Sequence, residues 1–107
     1  MARYLFKMGV TPQTFAKLIK NPDDRAKGAR PAFEALGGKL IEYYFAVGQG
    51  GIYTLAELPD EVSAEALMMS VLAGGAVTSF ESTVLLTAAE AMEAMKKAGA
   101  TGYKPPA

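Results

Sequence analysis

Five side chains in this sequence are of types that could do chemistry together: Lys7, Glu42, Tyr44, Tyr53 and Glu81. What links them is their position relative to bulky apolar neighbours. Successive side chains of a strand point to opposite faces. If Tyr4, Phe6 and Met8 point inward, Leu5 and Lys7 point outward. If Ile41, Tyr43, Phe45 and Val47 pack inward, Glu42 and Tyr44 are left outside. Phe80 and Val84 inward put Ser79, Glu81 and Thr83 outside. Residues 52–58 are mixed on both faces, but Tyr53, Leu55 and Glu57 join the outer set if Ile52 and Thr54 face the core. The chemistry on offer is proton transfer by a carboxylate or lysine, with phenols as hydrogen-bond donors. Near neutral pH a carboxylate does this only where desolvation raises its pKa. The plainer expectation is a cross-strand ion pair between Lys7 and Glu81.

Composition narrows the chemistry further. The 107 residues contain no cysteine and no histidine. Disulfides, thiolate nucleophiles, cysteine-ligated metals and histidine-dependent triads are therefore excluded within this chain. Neither a metal nor a cofactor is expected. Eleven basic residues balance eleven acidic ones, so no overall field draws the protein to nucleic acid or anionic lipid. No run approaches the length of a membrane span, and "MARYLFKMG" lacks a signal-peptide apolar stretch. A cytoplasmic protein is expected.

The elements that would position these residues can be read along the chain. The length suits one domain. A strand in "RYLFKMG" is followed by Thr11-Pro12, an N-cap and first helical position, with Phe15, Leu18 and Ile19 at helical spacing. "NPDD" reads as a second helix start with Asn21 as cap and Pro22 first. Ala26, Ala29, Phe33 and Leu36 continue the stripe, Pro31 should kink or divide it, and Gly37-Gly38 should end it. Strands at 39–47 and 52–58 follow, then a helix from Pro59-Asp60-Glu61 whose apolar positions are Val62, Ala66, Met69 and Leu72, stopped by Gly74-Gly75. A strand over 77–86 precedes Thr87-Ala88-Ala89-Glu90, which has capping-box spacing, and a last helix ending at Gly99. Met68, Met69, Met92 and Met95 are expected to fill core. Residues 1–99 form the domain, and 100–107 a mobile tail.

This order, β-α-β-β-α-β plus a final helix, is the ferredoxin-like arrangement in the α+β class. A four-stranded antiparallel sheet would carry helices on one face and leave the other open. In "EYYFAVGQGGIYTLAEL" the run Gly48-Gln49-Gly50-Gly51 joins strand to strand, whereas a phosphate-cradling loop feeds a helix N-terminus. The run is expected to be a hairpin turn. The open face mixes Leu5, Tyr44, Tyr53 and Leu55 with Lys7, Glu42 and Glu81. Such a surface meets a partner or encloses a polar cavity. The leading expectation is a homo-oligomer, dimer or higher, that binds a small molecule or acts as a scaffold through this face. The alternative is a cofactor-independent isomerase or oxygenase-like enzyme using the same carboxylates and tyrosines. Neither a nucleic acid nor a membrane is expected as a partner.

The runs "TPQTFAKLIKNPDDRAKGARPAFEALGGKLIEYYFAVG" and "LPDEVSAEALMMSVLAGGAVTSFESTVLLTAAEAMEAMKKAG", with Tyr4 to Gly9 before them, resemble the GYD family of small bacterial proteins. The most telling pieces are "ALGGKL", "YYFAVG", "LPDE" and "LLTAAEAMEAMKKA". The resemblance implies a ferredoxin-like fold that associates through its sheets, as in dimeric α+β barrels. At the hairpin, Gly48 matches the family's Gly-x-Tyr-Asp-like segment, but the aromatic and the acid are missing. No catalytic residue is therefore carried over.

Overall fold

In the computed structural model, which describes residues 1–106, alternation builds the sheet as expected in β1 (Ala2–Val10). Tyr4, Phe6 and Met8 are buried, while Lys7 is exposed and Leu5 half-buried. Two helices follow, α1 (Pro12–Lys20) and α2 (Arg25–Ala35), then β2 (Lys39–Ala46), β3 (Gly51–Leu58), α3 (Glu61–Ala73), β4 (Val77–Leu85) and α4 (Ala88–Gly99). The strands form one antiparallel sheet in the order β2-β3-β1-β4. This is an α+β, ferredoxin-like fold. In β3, Ile52, Thr54, Ala56 and Leu58 are all buried, which puts Tyr53, Leu55 and Glu57 on the other face. Phe33 of α2 and Ala64 and Leu67 of α3 close the core. Phe6 stacks on Tyr4 at 5.6 Å between centroids and tilts against Phe80 at 5.1 Å.

Local signals in the sequence set most helix ends. Thr11 caps α1, with its side chain accepting from the Thr14 N–H. At the end of α2, Gly37 adopts φ +77°, and the Gly38 N–H reaches the Phe33 carbonyl at 2.9 Å while Gly37 bonds Glu34. These are the paired bonds of a Schellman cap. Thr87 and Glu90 form the full capping box of α4. The glycine run is a hairpin turn, closed by Gln49 N–H to Ala46 carbonyl at 3.1 Å, with Gly48 and Gly50 at positive φ.

Several expectations are corrected. Asn21 does not cap α2; it ends α1, because the residue before a proline is driven out of the helical region. Asp24 is the cap instead, accepting from Ala26 and Lys27. The assigned helix α2 runs through Pro31 without division. A register shift between Leu40 and Glu42 turns Ile41 into a bulge, so Leu40, not Ile41, is the buried partner of Ala56. Val47 lies in the turn, almost fully exposed. In α3 the buried stripe is Ala64 and Leu67 with Val71 partly buried, leaving Val62, Met69 and Leu72 in solvent. Ile19 of α1 is exposed as well.

The methionine expectation also fails for α4. Met92 and Met95 are 52% and 69% exposed, and no residue of α4 is buried. The helix extends away from the sheet and its covering helices. The Cα radius of gyration is 17.4 Å and the longest extent 59 Å, against roughly 13 Å expected for a compact chain of this length.

Candidate functional site

The register brings the candidate residues onto the uncovered face of the sheet. Tyr44 pairs with Tyr53, Tyr53 with Lys7, and Lys7 with Glu81, forming one continuous cross-strand row over all four strands. The next row is Glu42, Leu55, Leu5 and Thr83. The β2 bulge is essential here. Without it, Glu42 and Tyr44 would be in phase with Leu40, and one of the two sets would face the wrong side.

Within the row, contacts differ from expectation in one respect. Lys7 and Glu81 are cross-strand partners, yet no ion pair joins them among the described residues, where the bridges are Arg3–Glu57, Arg25–Asp23 and Lys96–Glu93. Lys7 leans the other way, its Nζ 5.9 Å from the centre of the Tyr53 ring. The phenol of Tyr53 donates to Gln49 Oε1 of the hairpin turn at 3.5 Å, a long bond. Glu42 and Glu81 sit on the two edge strands. Three strand spacings of about 4.8 Å separate their backbones by about 14 Å, too far for the two to flank one reacting bond in a single chain.

One row nearer the turn, the residues are small: Ala46 pairs with Gly51, Gly51 with Gly9, and Gly9 with Ser79. Their missing bulk leaves a depression of about 380 Å³, walled by Lys7, Tyr53, Gln49 and Ser79. Ser79 Oγ accepts from the Gly9 N–H at 3.2 Å. A β-carbon on Gly51 would collide with the Met8 carbonyl oxygen, so that position tolerates only glycine. Gln49 and this row were not singled out as site residues from sequence. The signal was present in the glycines at 9 and 51, which fall in phase with Lys7 and Tyr53.

The depression offers a cation, a phenol, an amide and a hydroxyl around a floor of backbone. It suits a small polar or anionic ligand held by hydrogen bonds. Among the described residues, no set of three acidic side chains comes together to hold a metal ion, and no helix is long and apolar enough to cross a membrane. No curated protein and no solved structure matches the chain. The family described as GYD domain matches residues 4–95, from the first core tyrosine of β1 well into α4, and the chain belongs to that family.

Proposed function

We propose that the protein is a homo-oligomer that associates through the open sheet face and acts as a small-molecule-binding or scaffold protein. The observation that carries this is the apolar content of the uncovered face. Leu5, Leu55 and Tyr53 are half-buried by one another and Tyr44 is 55% exposed, with no helix above them. The Lys7, Glu42 and Glu81 charges lie beside or between them, giving the face a specific rather than a greasy character.

Size supports the same reading. Four strands of eight or nine residues span a face of about 20 by 27 Å. That gives roughly 500 Å² per subunit and about 1,000 Å² for a pair, the lower bound of a specific interface. The α4 arm adds to it. A helix of 12 residues is marginal in water by itself, and Met92, Met95 and their alanine neighbours need cover. A second copy of the chain supplies both surfaces. In such an assembly the depression beside Lys7 and Tyr53 is roofed by the partner, turning an open dent into an enclosed site. Substituting Leu5→Glu and Leu55→Glu together tests the reading, since neither side chain supports the core on the helix side. Sedimentation should show a smaller species for the double variant with its circular dichroism retained; an unchanged oligomer would refute sheet-face association.

A further inference from the structure

A second cavity, of about 300 Å³, lies on the opposite side of the sheet, under the helices. Its floor is Met8, Ile52 and Thr54, and its walls include Phe33 and Leu67. It exists because α1 does not pack down: none of its residues is buried, and Leu18 only borders the space.

The floor carries an anomaly. Thr54 is 1% exposed, and its Oγ1 has no hydrogen-bond partner. Strand residues are normally chosen to avoid this, since an unpartnered buried hydroxyl is costly. Thr14, the other threonine in the lining, is already engaged, donating to the Ala76 carbonyl at 3.1 Å. The remaining lining is largely apolar. At the mouth stand Lys17 and Arg25, with Tyr43 and Phe45 beside them, and Phe45 is 49% exposed. Arg25 is shared with Asp23 at 3.5 Å, whereas Lys17 has no ion-pair partner among the described residues. Burial pushes the Tyr43 phenol up, and the Arg25 guanidinium, which lines the same cavity, opposes that.

We propose that this cavity binds a small apolar carboxylic acid that carries a carbonyl or ether oxygen on its buried part. The apolar body fills the space against Phe33 and Leu67. The buried oxygen accepts from the Thr54 hydroxyl. The carboxylate stays at the mouth, between Lys17 and Arg25. The site is on the other face from the self-association surface, so either proposal can fail alone.

The test is isothermal titration of the full chain with γ-benzoylbutyrate, its deoxy counterpart δ-phenylvalerate, and the methyl ester of the keto acid. The expected result is saturable binding of the keto acid, about tenfold tighter than the deoxy acid. Thr54→Val should abolish that preference while leaving the deoxy acid's affinity unchanged. Arg25→Gln should weaken the acids several-fold and the ester little. Ala29→Phe, which fills the cavity, should remove all binding, with circular dichroism confirming the fold. Absence of saturable binding to the wild-type chain overturns the proposal. So does keto-acid binding that is unchanged in Thr54→Val.

Discussion

Replacing Thr54 by valine should make the ligand-free protein more stable. Valine has the same shape and branching, so it keeps the strand geometry and the packing against Phe6 and Tyr43, the neighbours on either side in its cross-strand row. What changes is one hydroxyl, buried to 1% exposure and without a partner. Leaving such a group unsatisfied costs about 1–3 kcal/mol. Thr54 borders a cavity that opens at one side, so the lower end applies, and about 1 kcal/mol should be recovered. For a domain of this size that is a rise in melting midpoint of about 4–8 °C. Thr54→Ala removes the methyl as well as the hydroxyl and so lacks two methyls that the valine variant keeps; it should fall about 2–3 kcal/mol below the valine variant. Urea unfolding followed by circular dichroism measures both, at one fixed protein concentration because association raises apparent stability. A valine variant destabilised as much as the alanine variant, with unchanged urea dependence, would mean that the hydroxyl has a partner in solution. The account of the cavity floor would then be wrong.

Three further outcomes follow from the turns and caps. Gly51→Ala should destabilise by more than about 2 kcal/mol, because its β-carbon meets the Met8 carbonyl of the paired strand. Gly50→Ala, at φ +68° with open space around it, should cost only about 1 kcal/mol; equal losses in urea unfolding would contradict this. Acid should loosen α3 and α4 through their caps. The Ser63 N–H holds the Asp60 carboxyl, and the Thr87 N–H the Glu90 carboxyl, below the usual carboxylate range. A lowered folded pKa contributes stability that is present above the unfolded values of about 4 and lost as pH falls through the folded ones. Helicity should therefore be flat from neutral pH to about 5 and decline below about 4, with a shallower acid limb in Asp60→Asn/Glu90→Gln. Superimposable limbs would refute the assignment.

Much of the fold and of the candidate surface was legible because it rests on short-range rules. Alternation placed Tyr4, Phe6 and Met8 inside and Lys7 outside, and cap spacing placed Thr11 and the Thr87–Glu90 box. The glycine run read as a turn because it lies between two strands. What was not legible depends on distant partners. The bulge at Ile41 is set by the register against β3, which no local pattern encodes. The stripe Val62, Ala66, Met69 and Leu72 was the wrong face of α3, since Val62, Ala64, Ala66, Leu67, Met68, Met69, Val71 and Leu72 surround the helix with apolar side chains and spacing alone does not select among them. The spacing of Met92 and Met95 suggested core filling, but whether α4 packs back onto the sheet depends on contacts that no local pattern encodes, and both side chains are exposed. The lean of Lys7 toward Tyr53 rather than Glu81 is a rotamer choice, and Thr54 gave no hint that its hydroxyl would lack a partner.

The central claim is association through the open sheet face, and sedimentation velocity over a range of concentrations tests it most directly. The wild-type chain should run as a dimer or larger at micromolar concentration, and Leu5→Glu/Leu55→Glu as a folded monomer. A wild-type chain that stays monomeric at high micromolar concentration would contradict the account, leaving Lys7, Glu42 and Glu81 as solvated surface charges.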